Sequence, residues 1–378
     1  MERVYFDYNA TTPLAPEVAS AMRPFLEQEH GNPSSLHWAG ARARTAIDQA
    51  RTQVAALLHC EPAEIVFTSG GTEASNSALC GVFFRSQKKA PPHFIISSVE
   101  HPSVSNVASF LERLGAEVTQ VPVDRFGQVD PDSVRRAMRP NTALVSVMHA
   151  NNEVGTIQSI CEIAAIAHEH DVFMHTDAAQ TVGKIPVNVQ DLGVDLLSVA
   201  GHKMYAPQGV GALFIRKGVA LEPFLHGAGH EGGRRAGTEN VLEIVALGAA
   251  CVLVSTKIDV AAIRELRDHF WRLLSERFGN RIVLNGHPDE RLPNTLNVSF
   301  VNCYGHEILS RLAGVAASTG SACHEGVHQL SPVLRAMGVP EAMGLGAIRF
   351  SLGRTSTREE VECVVEQLTQ AALISPNR

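Results

Sequence analysis

From about residue 60, short runs rich in β-branched residues alternate with amphipathic helical stretches, and this alternation constrains the fold more than any other feature of the chain. Residues 64–68, 93–97, 118–123, 143–148, 172–175, 196–199 and 212–215 have the length and composition of strands. Residues 72–84, 102–114 and 160–168 read as helices between them. Strands separated by helices argue for an α/β fold with a mostly parallel central sheet covered by helices on both faces. Sheets of this kind bind ligands beyond the carboxyl ends of their strands. The residues just after each apolar run are therefore the first candidates for chemistry.

Near residue 255 the pattern changes. A long helix at 260–278 precedes strands at 281–284 and 295–300; helices near 306–313 and 358–371 follow, with a strand at 347–352 between them. This predicts a smaller α+β domain, made of residues 1–15 plus 256–378, beside a large domain of residues 16–255. A chain of 378 residues, 45% hydrophobic, has room for both and for a substantial core.

Thirty-nine acidic against 32 basic residues give a net charge of −7, which argues against nucleic acid or an anionic membrane as the main partner. No apolar leader opens the chain, and the longest apolar run, residues 244–254, is too short to span a bilayer and reads as a buried helix. A cytoplasmic protein is expected. The seven cysteines form no CxxC pair and no zinc-like spacing, so no metal is expected. Most read as small buried hydrophobes; Cys323 differs, for reasons of local sequence.

Five strand ends or loops carry the candidate chemistry. In Ser198-Val199-Ala200-Gly201-His202-Lys203 a lysine follows an apolar strand and a glycine. Glycine permits a sharp turn and close approach of a bulky group, and a deprotonated lysine forms a Schiff base with an aldehyde; a plain surface lysine is the alternative. In His175-Thr176-Asp177-Ala178-Ala179-Gln180 an acid ends another apolar strand. It suits a protonated ring nitrogen, with Gln180 returning to the same site, or else it caps a helix. Thr68-Ser69-Gly70-Gly71-Thr72-Glu73 runs from strand through glycines into a helix, a turn that offers free N–H groups to a phosphate. It is neither a Walker sequence nor a dinucleotide turn. His101, in Ser98-Val99-Glu100-His101-Pro102, is placed to stack on a ring or to move protons near neutral pH. Cys323, in Ser318-Thr319-Gly320-Ser321-Ala322-Cys323-His324-Glu325-Gly326, lies among small and polar residues that suit an accessible nucleophile, with His324 nearby to favour the thiolate.

In this order the motifs resemble the NifS/IscS-like cysteine desulfurases, pyridoxal-5′-phosphate (PLP) enzymes of fold type I in the class-V aminotransferase superfamily. The resemblance extends to Tyr5-Phe6-Asp7-Tyr8-Asn9-Ala10-Thr11-Thr12-Pro13, Gly31-Asn32-Pro33-Ser34-Ser35, Asn151-Asn152-Glu153-Val154-Gly155, Arg235-Ala236-Gly237-Thr238 and Ile348-Arg349-Phe350-Ser351-Leu352-Gly353-Arg354. It implies that Lys203 carries PLP as a Schiff base, Asp177 pairs with the ring nitrogen, His101 stacks on the ring and Gln180 contacts its phenolic oxygen. Gly71, Thr72 and His202 would hold the phosphate. Thr238 would reach the phosphate of a neighbouring subunit, implying a homodimer. Asn152 and Arg349 would bind the carboxylate of L-cysteine; a guanidinium fork suits that anion. Sulfur would pass to Cys323 as a persulfide, destined for an acceptor protein of iron–sulfur cluster assembly or thiolation, and L-alanine would leave. Selenocysteine lyase shares the lysine and the cysteine loop, and another PLP-dependent lyase or transaminase would dispense with Cys323. One departure concerns Ala200, where a phosphate-contacting serine often precedes the Gly-His-Lys motif.

Overall fold

The computed structural model describes residues 3–86, 91–312, 314–319 and 329–373. Twelve strands are described: β1 (Val4–Tyr5), β2 (Ile65–Thr68), β3 (His93–Ser97), β4 (Glu117–Val121), β5 (Thr142–Ser146), β6 (Phe173–Asp177), β7 (Leu196–Ala200), β8 (Gly211–Ile215), β9 (Ile282–Asn285), β10 (Thr295–Phe300), β11 (Val315–Ala316) and β12 (Ala347–Ser351). Seven of them form the central sheet in the order β2-β8-β7-β6-β5-β3-β4. The pairs from β7 to β4 are parallel, while β8 runs antiparallel to both β7 and β2. Six strands therefore end at one edge and β8 alone begins there. Thr68, Ser97, Ser146, Asp177 and Ala200 all reach that edge.

The strands are apolar along their whole length because both faces are covered. Phe67, Ile95, Val145, Met174, Leu197, Val199 and Phe214 point to one core, which the helices Pro16–Glu27, Trp38–Leu58, Ile160–Glu169 and Val241–Thr256 help to build. The intervening Val66, Phe94, Ile96, Leu144, Leu196, Leu213 and Ile215 point to a second core under the helices Gly71–Ser86 and Pro102–Arg113. This is the period of two expected of a strand with a covered face on each side. The apolar run 244–254 lies in Val241–Thr256, where Ile244, Leu247, Cys251 and Leu253 are buried. Among the described residues no single helix is long and apolar enough to cross a membrane.

A second, antiparallel sheet has the order β12-β10-β9. Its own core holds Phe6, Phe270, Phe300 and Phe350, with the Phe270 ring 5.8 Å from Phe6 and 5.1 Å from Phe350. Phe270 comes from the helix Val260–Phe278, and Val361, Val364 and Leu368 come from Arg358–Leu373. The chain's first strand joins this body: β1 pairs with β11, and Asp7 bridges to Ser351.

Four of the six described cysteines depart from the expectation of burial, Cys60 and Cys303 being half-buried. Cys80 and Cys251 are buried, but Cys161 and Cys363 are exposed. Both lie on the outer faces of amphipathic helices, where an apolar neighbour in sequence does not mean an apolar neighbour in space.

Candidate active site

Beyond the shared sheet edge lies a cavity of about 240 Å³, lined by residues from both bodies. Its floor comes from the strand ends. Asp177 closes β6 and Gln180 follows on the next turn; His202 and Lys203 follow β7 on a short 3-10 turn, Gly201–Lys203. His101 caps the helix after β3, its Nδ1 accepting from the Ser103 N–H at 3.1 Å. Gly71 and Thr72 open the helix after β2, where the first-turn N–H groups have no acceptor within the helix. Asn152 comes from the loop after β5, and Arg349 from the middle of β12 in the smaller sheet.

Glycine is required at this edge. A Cβ on Gly211, the first residue of the reversed strand β8, would lie 2.4 Å from the Val199 carbonyl oxygen and 2.7 Å from the Gly70 Cα. A Cβ on Gly71 would come within 3.2 Å of the Ala200 Cβ. Ala200 itself lines the cavity, so the small side chain at 200 contributes surface here and no hydrogen bond.

The charges are arranged in opposition. Lys203 Nζ donates to the carbonyls of Asn9 at 2.5 Å and Ala10 at 2.7 Å. Burial first, then the Arg349 charge, pull its amine down to about 8, against the opposite pull of Asp177 and Asp7. Burial raises the Asp177 carboxyl above the ordinary aspartate range, although Oδ1 accepts from the Ala179 N–H at 2.9 Å. Oδ2 is met by the Ser103 hydroxyl at 3.5 Å, and a buried acid with no closer support at that oxygen calls for a cationic partner. Burial also lowers His101, and it holds His202 down at about 4, so both imidazoles are neutral at physiological pH. Arg349 donates from Nη2 to Asp7 Oδ1 at 2.7 Å and from Nη1 to the Asn152 carbonyl at 3.0 Å, while its buried Nε has no partner.

Lys203, Asp177, Gln180, His101, His202, Gly71, Thr72, Asn152 and Arg349 thus meet in one cavity. Thr238 does not. It lines a separate depression with Thr68, Gly209, Arg235 and Glu239. Cys323 and His324 lie outside the described residues. The two stems of their segment are in place: Ser318 exchanges both backbone hydrogen bonds with Arg349, and the Ser331 hydroxyl donates to Glu153 Oε2 at 2.5 Å, next to Asn152.

Sequence reasoning gave no role to several residues that shape this site. Asn9, 1% exposed, supplies its carbonyl to Lys203 and Gln180, its side-chain oxygen to Lys184 and Asn294, and its side-chain nitrogen to Thr295 and the Asn152 carbonyl. It thereby ties Lys203 to the smaller sheet. Glu100, just before His101, accepts from the Ser97 hydroxyl and the Met148 N–H, and burial pushes it up to about 8. Its position before a motif histidine was the available signal; nothing local showed that it turns inward.

The family model for class-V aminotransferases matches residues 4–364. A cysteine desulfurase IscS of Dictyoglomus turgidum is 49% identical over 369 residues, covering 97% of this chain and 93% of the relative. Another from Methanosarcina thermophila is 46% identical, covering 96% of this chain and 90% of the relative. Among solved structures, a NifS-like protein superposes with a TM-score of 0.90 at 36% identity, covering 97% of this chain and 98% of its own. The structure of SspA in complex with cysteine gives 0.84 at 37% identity, covering 94% and 100%. The chain belongs to the class-V aminotransferase family, within its cysteine desulfurase branch.

Proposed function

We propose that this protein is a PLP-dependent cysteine desulfurase that converts L-cysteine to L-alanine and holds the released sulfur as a persulfide on Cys323. The observation that carries this reading is the meeting, in one cavity, of a lysine whose amine is pulled down to about 8, a buried acid without an ion-pair partner among the described residues, and an arginine.

The residues present fit PLP. Lys203 would hold it covalently, Asp177 would meet its ring nitrogen, and the cation there would relieve the cost of the buried carboxylate. Neutral His101 would lie against the ring, and Gln180 would face its phenolic oxygen. Gly71, Thr72 and His202 would take the phosphate at the helix start. When bound, PLP supplies an electron-withdrawing ring that makes the α-proton of an amino acid acidic enough to remove.

The chain does the rest. Arg349 and Asn152, which both line the cavity, orient the substrate carboxylate. Lys203, with its amine at about 8, takes the α-proton and returns a proton to carbon. Cys323, as thiolate, takes the sulfur, so that L-cysteine and one thiol give L-alanine and one persulfide. A homodimer, with Thr238 reaching the phosphate site of a second copy, follows from the family resemblance, as does an acceptor protein for the persulfide. Two domains, 16–255 and 1–15 plus 256–378, are supported by Val4 and Phe6 packing in the smaller body's core, although Tyr8 and Ala15 pack in the larger one. A cytoplasmic location suits a thiol that must be reduced between turnovers.

Incubation of PLP-loaded protein with L-cysteine and a reductant is expected to release sulfide and alanine in equal amounts. Alanine without sulfide, or turnover of L-selenocysteine alone, would overturn the assignment. A second expectation concerns Arg349→Lys, which keeps the positive charge beside Asp7 but loses the fork. KM for cysteine should rise at least about tenfold, the worth of a lost charge-assisted hydrogen bond, with a smaller change in kcat. An unchanged KM would remove Arg349 from carboxylate recognition.

A further inference from the structure

Lys184 lies four residues after Gln180 and outside the set of side chains that line the main cavity. It borders a smaller cleft beside Tyr8, Lys203, Tyr205 and Asn294. Its Nζ donates to Gln180 Oε1 at 2.7 Å and to Asn9 Oδ1 at 2.8 Å. A lysine amine placed among Lys203 and Arg349 is an expensive feature: burial and those two like charges push its pKa well down. Packing alone would be served better by a methionine or leucine.

The neighbours fix which way each carboxamide faces. Gln180 Nε2 lies 3.0 Å from the Asn9 carbonyl, which can only accept, so Oε1 is the end that meets Lys184. Asn9 Nδ2 is held in the same way by the Asn152 carbonyl at 3.2 Å and the Thr295 hydroxyl at 2.8 Å. Asn9 Oδ1 therefore turns to Lys184 and to the Asn294 amide at 3.0 Å. An amine has N–H groups for both oxygens whether or not it is protonated, so the arrangement does not depend on its charge. Without that donor, the Asn9 carbonyl would be the one described group fixing the Gln180 amide, and Oε1 would lose its partner, so the amide would be held less firmly with its N–H groups in place.

We propose that Lys184 is a positioning residue: it locks the Gln180 carboxamide with its NH₂ end on the Asn9 side of the cavity, so that the phenolic oxygen of bound PLP meets a donor. This rests on the PLP reading of the site. The side chain touches neither cofactor nor substrate and acts through Gln180.

The test is a spectral pH titration of the PLP-loaded protein, combined in a double-mutant cycle with Gln180→Ala. Lys184→Met is expected to raise the midpoint of the visible absorbance change by about one pH unit, because the phenolate loses a charge-assisted hydrogen bond. In the Gln180→Ala background the same substitution should move it by less than about 0.3 unit, within the usual additivity error. Lys184→Arg, which retains donors, should restore most of the wild-type midpoint. If Lys184→Met does not fold, the cycle is run with Lys184→Gln, whose side chain is too short to bridge both oxygens. Equal shifts in the two backgrounds would assign Lys184 a direct electrostatic effect, and no shift with a lowered Tm would assign it packing alone; either overturns the proposal. Wild-type protein that takes up no PLP chromophore at all would overturn the PLP reading, and this inference with it.

Discussion

Lys203→Ala is expected to lower cysteine turnover at least about a thousandfold and to abolish the stable visible absorbance of the PLP-loaded protein. General acid–base catalysis by a positioned side chain is worth about 10²–10⁴-fold, and in the proposed reaction one amine would both hold the cofactor and move the proton. The position is specific. Lys203 is held by the Asn9 and Ala10 carbonyls at the edge where β7 ends, and its amine, at about 8, has a usable neutral fraction at physiological pH. Small amines added to the variant should restore part of the proton transfer, though far below wild type, because they lack the effective concentration of a tethered group. Sulfide release with and without such an amine measures this. A variant retaining a tenth of wild-type activity would remove Lys203 from the proton-transfer role.

Cys323→Ser is expected to divide the reaction in two. Sulfide release should fall at least about a hundredfold, since a hydroxyl is far weaker than a thiolate as a sulfur acceptor. Exchange of the substrate α-proton with deuterated solvent should remain within about threefold of wild type, because Lys203, Asp177 and Arg349 are untouched. Mass spectrometry of intact protein after one turnover should find the added sulfur on the wild-type chain and not on the variant. The stems of the segment carrying Cys323 include Ser318, paired with Arg349, and Ser331, bonded to Glu153 beside Asn152. Both stems thus lie next to the residues assigned to the substrate carboxylate. Loss of proton exchange together with sulfide in Cys323→Ser would mean that the thiol serves the first half-reaction too.

The alternation of strands and helices was readable because each strand of the large sheet is apolar on both faces and each is short. Residues 93–97 and 295–300, read as strands from composition, match β3 and β10 at both ends. Other ends moved for identifiable reasons. The run at 172–175 continues as β6 to Asp177, since Thr176 and Asp177 are polar yet buried at the active edge. The run at 118–123 leaves the sheet after Val121, on the outermost strand β4, because Val123 turns away to bridge Val129 instead. Strand order and the reversal of β8 were not legible, because pairing partners lie far apart in sequence and composition does not name them. Two helices, Pro16–Glu27 and Trp38–Leu58, precede the alternating region and went unread.

The site divides along the same line. Residues at strand ends announce themselves by interrupting an apolar pattern, and Lys203, Asp177, His101 and Gly71 were found in that way. Asn9 and Lys184 were not, although Asn9 stands inside a quoted motif and Lys184 is four residues from Gln180. Their importance lies in which carbonyl or amide each meets across the fold, and that depends on contacts as distant in sequence as Asn9 with Ser351.

The position of Asn9 also sets a schedule for the protein as it is made. Its backbone N–H bonds the Ser351 hydroxyl, its carboxamide meets Asn294 and Thr295, and its carbonyl receives Lys203. The ribosome adds Ser351 about 340 residues after Asn9, a wait of roughly 20–70 s at ordinary elongation rates. During that interval the large sheet can form and carry its lysine, but the lysine has no fixed support and the arginine that faces it has not yet been synthesised. The newborn chain thus lacks the finished cavity until the strand Ala347–Ser351 has been made.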